Sequence, residues 1–250
     1  MTLCAGMLSA GNGGVVPNDV HEGTAGNMPL QAQCTRNGSE PDNPHARLSG
    51  EVFSFTLNAS GSQYLYEQWS TGGVMLHTGA RIDGVSLRYN GYLDELIWMN
   101  QANGTQIMVD KSLVDHFVMQ RPQTGEWLKF RKILYRSWYA TEPSEIYAQV
   151  IHEGGYTLMA YRNIRRTGEN TLFTESGITV RMNISPSHEY FLITPGGEVF
   201  LVRNFNRRTF VKMFPDHRTE IRQAFRGIRI QTDADRALLV SRLDELLGDQ

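Results

Sequence analysis

Val74-Met75-Leu76-His77 runs into Thr78-Gly79 and comes back as Ala80 to Tyr89, which outlines a β-hairpin. Tyr92 to Trp98 and Thr105 to Val109 then flank Asn103-Gly104, a strong hairpin dipeptide because both residues tolerate positive φ. The same period-two rhythm extends in both directions. Upstream, Val52-Phe53-Ser54-Phe55-Thr56-Leu57 alternates, with Phe53, Phe55 and Leu57 on one face. Downstream, Leu113 to Met119 and Trp127 to Leu134 are separated by Pro122 and Gly125, and Glu145 to Ile151 and Tyr156 to Asn163 bracket His152-Glu153-Gly154-Gly155. Ile178 to Ile184 follows, and then Tyr190 to Ile193 and Val199 to Val202 are joined by Thr194-Pro195-Gly196-Gly197. That makes about ten strands in an antiparallel meander, an open sheet or a partly closed barrel. No strand alternates with a helix of crossover length, which excludes a parallel α/β fold.

The pattern changes near Asn204. Asn206 is placed to cap a short helix through Met213, Pro215 suits a first helical turn, and a second helix runs from about Asp216 to Phe225 before Gly227. Thr232 caps a last helix over residues 233–247, whose apolar stripe is Leu238, Leu239, Leu243, Leu246 and Leu247, and Gly248 ends it. The expected class is α+β: a leader over 1–48, an antiparallel β domain over 49–203, and a helical cap over 204–250 packed on it.

Composition narrows the function classes. Twenty-five aromatic residues among 250, with 40% hydrophobic content, are enough to order most of the chain. No run of about 18 apolar residues exists, so no membrane-spanning helix is expected. Two cysteines exclude a disulfide-stapled scaffold and a zinc ribbon. The formal charge of −2 hides an asymmetry: residues 1–120 carry net −6 and residues 121–250 net +4. Residues 203–229 alone reach +6, which suits an anionic partner, a membrane surface or the acidic half of the chain itself.

The first 45 residues hold seven Gly, five Asn and four Pro, and read as a flexible leader. Leu3 to Ala10 is similar to the end of a signal peptide's apolar region but lacks a basic start. Cys4 and Cys34 both fall in the leader, where lipidation, mutual pairing and inert thiols remain three open readings.

Sites of chemistry are sparse. Histidines stand at 21, 45, 77, 116, 152, 188 and 217, never two within five positions, so no metal and no cofactor is expected. No Gly-x-Ser-x-Gly elbow is present, and Gly11-Asn12-Gly13-Gly14 lacks the preceding strand, the third spaced glycine and the lysine of a phosphate loop. Asp94-Glu95 falls in an expected strand, where neighbours face opposite ways; exposed charges that blunt edge pairing are the expectation, and no catalytic residue is named. Arg218, Arg222 and Arg226 recur every four residues, so on a helix they stack despite mutual repulsion. With Arg203, Arg207 and Arg208 they form the candidate surface for an anionic partner, an envelope protein, lipid or glycan. Nucleic acid is not expected, because the chain is acidic and no aromatic platform interleaves with the stripe. Tyr64, Tyr66 and Trp69, and a second cluster with Trp138 and Tyr139, are candidate walls of a ligand pocket or, alternatively, core anchors.

Residues Gly61-Ser62-Gln63-Tyr64-Leu65-Tyr66 to Trp69, a short hairpin, then Val85-Ser86-Leu87-Arg88-Tyr89-Asn90-Gly91-Tyr92-Leu93-Asp94-Glu95-Leu96 make one motif. Tyr190-Phe191-Leu192, a glycine turn, and Phe214-Pro215-Asp216-His217 before a closing helical pair make another. Together, over roughly residues 61–247, they resemble a family of uncharacterised exported proteins of Bacteroidetes-type bacteria. That resemblance implies export to the periplasm or cell envelope and a non-enzymatic accessory role. The family has no assigned activity, so it lends no catalytic residue. The expected function is therefore an envelope binding or interaction module. The alternatives are an envelope hydrolase using carboxylates assembled by the fold, and a structural subunit of a larger assembly.

Overall fold

The computed structural model describes residues 48–136, 141–174 and 177–248. Within them the chain forms β1 (Gly50–Val52), β2 (Ala59–Ser60), β3 (Ser70–Leu76), β4 (Arg81–Asn90), β5 (Glu95–Asn100), β6 (Thr105–Val109), β7 (Val114–Gln120), β8 (Trp127–Tyr135), β9 (Ser144–His152), β10 (Thr157–Tyr161), β11 (Ile164–Thr174), β12 (Gly177–Pro186), β13 (Glu189–Ile193) and β14 (Val199–Leu201). Helices α1 (Arg207–Met213), α2 (Arg218–Ala224) and α3 (Asp233–Leu247) follow. Eleven strands make one antiparallel sheet in the order β1-β6-β5-β4-β3-β7-β8-β9-β10-β13-β14. Its ends, β1 and β14, do not meet, so the sheet is open and no barrel closes. The remaining three strands form a separate small sheet, β11-β12-β2.

Alternation explains the large sheet, with one adjustment. Gly84 adopts φ 69° and is the extra residue opposite the Gly72–Gly73 step of β3. This bulge resets the phase of β4, so Ile82 and Val85, three apart, both turn inward with Leu87 and Tyr89. Phe117 and Phe130 stack at 4.6 Å between ring centroids, and Tyr147 meets Phe117 edge-on at 5.1 Å. These rings and Tyr89 are fully buried at the centre of the main core.

The cap packs on the other end of the sheet. Leu158 of β10 and Leu192 of β13 meet Phe210, Ile221, Ala224, Leu239, Val240 and Leu243 from the three helices. Asn206 caps α1 by accepting from the Thr209 N–H, and Thr232 with Asp235 builds a capping box on α3. The stripe of α3 is rotated from expectation: Leu239, Val240, Leu243 and Leu247 are buried, while Leu238 lies one residue off that face and is exposed.

Three further expectations are corrected, and one strand was not expected at all. The alternating run 53–57 is irregular beyond β1: Phe53 still donates to the Gln106 carbonyl, and then the chain peels away. There the Gln63 side chain takes a strand's place, accepting from the Leu57 N–H and donating to the Phe55 carbonyl. Leu48 is buried in the main core, so it belongs with the sheet and not with the leader. Residues 92–94 are a turn, not the start of a strand. Finally, β11 has no apolar alternation to announce it, because most of it stands exposed and pairs only with β12.

Candidate functional site

The helical cap carries all the candidate arginines but Arg203, and every one of them is exposed. Asn206 starts α1 so that Arg207 and Arg208 sit in its first turn. On α2, burial of Ile221 and Ala224 leaves Arg218 and Arg222 exposed. Arg226 is not part of that stripe. α2 ends at Ala224, Phe225 turns into the cap core, and the Arg226 carbonyl accepts from Arg242 at 2.8 Å. Among the described residues no carboxylate lies within ion-pair distance of Arg203, Arg207, Arg208, Arg218, Arg222 or Arg226. Asp216 and Glu220 are therefore neighbours in sequence without forming ion pairs with the stripe.

Arg203 stands apart from the helices, at a cleft of about 750 Å³ where the end of the large sheet meets α3 and the base of β11. Tyr135, Arg165, Glu189 and Arg236 share its walls. Arg165 is paired with Glu189 at 2.7 Å, and Arg236 lies over the rings of Tyr190 (4.6 Å) and Phe205 (5.2 Å). Arg203 is thus the cleft's one cation without a carboxylate or ring partner among the described residues.

Behind the cleft a clasp fixes the cap to the sheet. Buried Arg162 donates to Gln149 at 2.7 Å and to Asp233 at the start of α3. Asp233 also accepts from Tyr190 Oη at 2.8 Å and Arg236 Nη1 at 3.1 Å. Burial pushes the Asp233 carboxyl up, but Arg162, Tyr190 and Arg236 together hold it below the ordinary carboxylate range. A second pin joins the β9–β10 turn to α3. Asp244 accepts from the Tyr156 N–H and lies 2.6 Å from His152 Nε2.

The acidic pair proves different from expectation. Asn90 Oδ1 accepts from the N–H groups of Tyr92 and Leu93, folding 91–94 into a turn that leaves Asp94 at φ 60°. Asp94 is only 6% exposed, so it does not blunt an edge. Its carboxylate accepts from Tyr89 Oη (2.6 Å), Lys111 Nζ (2.9 Å) and the Tyr147 N–H (3.1 Å). Burial raises its pKa, with Lys111 opposing. The signal that sequence reading passed over was Asn90-Gly91, a turn dipeptide as strong as Asn103-Gly104.

The aromatic candidates divide. The Arg88 guanidinium lies over the rings of Tyr64 and Trp69, at 4.6 and 4.2 Å from their centroids. Tyr66 packs against the main core, where burial raises its phenol pKa. Trp138 and Tyr139 lie outside the described residues, as do Cys4 and Cys34. No group of three or more His, Cys, Asp or Glu among the described residues is arranged to hold a metal ion, and no described helix is long and apolar enough to cross a membrane. No family model matches the chain, and neither a curated protein nor a solved structure matches it.

Proposed function

We propose that the protein is a non-enzymatic binding module of the cell envelope that captures an anionic partner through its helical cap. The observation that carries this reading is the exposed set Arg203, Arg207, Arg208, Arg218 and Arg222, none of them ion-paired within the described structure. Guanidinium groups left unpaired on a rigid surface attract carboxylates, phosphates and sulfates, which they grip in a bidentate manner. Helices packed on the sheet present all of them but Arg203, and the Asp233 clasp holds that geometry. The envelope setting comes from the resemblance to exported proteins over residues 61–247. The hydrolase alternative loses its nearest acidic pair, because Asp94 is already bonded to Tyr89, Lys111 and Tyr147.

The test is in-cell crosslinking of the tagged protein, with envelope fractionation and mass spectrometry. Crosslinks to an envelope component are expected within residues 203–229. They should disappear in the Arg218→Glu, Arg222→Glu, Arg226→Glu variant while its melting temperature stays unchanged. Undiminished capture by that folded variant rejects the proposal. A second reading, a structural subunit, is favoured by the β11–β12 arm. Phe173, Ile178 and Val180 are 80%, 69% and 53% exposed there, and beyond Ile164, whose N–H donates to the Gly91 carbonyl, the outer edge of β11 pairs with no strand within the described structure. Crosslinks concentrated at 164–186 would favour that reading instead.

A further inference from the structure

Arg88 lies on the outer face of β4, between Leu87 and Tyr89, which both point into the core. A guanidinium in such a position ordinarily finds a carboxylate. Here the guanidinium lies over two rings, and among the described residues it makes neither an ion pair nor a side-chain hydrogen bond. Its Nε is covered and without a partner. The two terminal nitrogens are the free end, and Arg88 forms part of the wall of a cavity of about 380 Å³. A volume of a few hundred Å³ suits a small molecule.

The chain builds this cavity deliberately. After β1 the segment 53–64 crosses back over the sheet, fixed by the Gln63 bonds to Leu57 and Phe55. Gly61, at φ 107°, passes so close to β12 that a Cβ would sit 2.3 Å from the Ile184 carbonyl oxygen, so only glycine fits. Ser62 Oγ accepts from the Tyr64 N–H, and the Leu65 N–H donates to the Tyr89 carbonyl. Those bonds set the Tyr64 ring against Arg88. The cation is thus oriented before any ligand arrives, which removes part of the ordering cost of binding.

We propose that Arg88 is the carboxylate-recognising centre of a second binding site, one that takes an amino acid or short peptide carrying both a carboxylate and an ammonium. A guanidinium lying over two rings still offers its edge, and a planar carboxylate meets two N–H groups there in a bidentate contact. The charges that line the cavity are Arg88 and Glu67, one of each sign. A dianionic phosphate would leave that pair unbalanced, whereas a zwitterion places its carboxylate on Arg88 and its ammonium toward Glu67. Phe53, Phe55 and Ile184 supply apolar wall for a side chain, and Gln106 offers a polar contact. This site is independent of the cap arginines, and either can fail without the other.

Calorimetric titration of the full chain with alanyl-alanine, its C-terminal amide, its N-acetyl derivative and inorganic phosphate tests the proposal. The dipeptide should bind, and amidation should weaken it by about tenfold or more, the worth of a charge-assisted hydrogen bond. Arg88→Lys keeps the charge but loses the planar fork, so it should cost about as much as amidation. Glu67→Gln changes an exposed residue and leaves folding intact; it should weaken the dipeptide yet have no effect on the N-acetyl derivative. That last comparison decides the matter even if Arg88→Lys fails to fold. Absence of binding at millimolar dipeptide, equal affinity for the amide, unchanged affinity in folded Arg88→Lys, equal loss of both ligands in Glu67→Gln, or preference for phosphate each overturns the assignment. In the first of those cases the Tyr64–Arg88–Trp69 stack only fastens residues 62–69 to the sheet; in the others the cavity takes a ligand of a different class from the one assigned.

Discussion

Replacing Asp94 by alanine should be among the most damaging single changes available to this protein. The substitution deprives the buried Tyr147 N–H of its acceptor and leaves buried Tyr89 Oη only a long contact of 3.5 Å to the Tyr147 carbonyl. Each costs about 1–3 kcal/mol when left unsatisfied. Lys111 is less constrained, since its side chain is 21% exposed and can turn to water. Alanine at φ 60° adds about 1 kcal/mol that aspartate and asparagine largely escape. The sum is about 5 kcal/mol, a large part of the total of about 5–15 kcal/mol that holds a typical domain together. Asp94→Asn keeps the backbone conformation and one acceptor, so about half that loss is expected. Urea unfolding followed by far-UV circular dichroism gives both values. An Asp94→Ala loss under about 1.5 kcal/mol would refute the reasoning. The pH dependence supplies an independent check. Asp94 has its pKa raised on folding, so the native state holds its proton more tightly than the unfolded chain does. Its contribution is fully present below the unfolded carboxylate value of about 4 and is lost as pH rises through the folded value. The penalty of Asp94→Asn must therefore shrink between acid and neutral pH. A penalty that grows instead would mean that Lys111 outweighs burial.

The Asp233 clasp should behave in the opposite sense. Asp233 is depressed on folding, so its contribution is present above about pH 4 and is lost as pH falls through the lower folded value. Asp233→Asn should cost about 3 kcal/mol at pH 7, because it removes the carboxylate facing a buried guanidinium, and progressively less as pH falls below about 4; a loss that does not change with pH would contradict the clasp. On the arm, the double change Phe173→Ser with Ile178→Thr removes only exposed apolar surface. Stability should move by less than about 0.5 kcal/mol, while binding of a hydrophobic dye and self-association measured by light scattering both fall. A large drop in melting temperature would show instead that these side chains are covered in the native protein.

Strand and helix identity was legible wherever one face of an element is buried. The hairpins around Thr78-Gly79, Asn103-Gly104 and Gly154-Gly155 and the caps Asn206 and Thr232 all carry local signals, and the structure uses each of them. What escaped reading was decided at a distance. β11 lacks alternation because it has little core to face. The run 53–57 alternates without being a strand because Gln63, six or more residues away, provides its hydrogen bonds. Asp94 looks like one surface charge among many until Tyr147, 53 positions later, is brought against it. The aromatic pair Tyr64 and Trp69 was visible as a candidate wall. Arg88, the group those rings hold, was not, because it sits as one polar residue in an alternating strand and owes its isolation to the fold.

The route of the chain around the arm has a consequence for how this molecule can vary. It leaves the large sheet after Tyr161 and re-enters at Glu189, and those two residues are direct partners in the β10–β13 ladder. Everything from 162 to 188 is thus an excursion whose two ends are already side by side. Beyond Arg181, whose guanidinium donates to the Ala59 carbonyl of β2 at 2.9 Å, the arm adds residues in facing pairs such as Thr171 with Val180 and Phe173 with Ile178. Lengthening or trimming it by such pairs would disturb neither the ladder nor the cap. The scaffold therefore accepts a spliced hairpin of almost any length at this one position, and the reach and stickiness of the arm are free to diverge while the rest of the protein stays fixed.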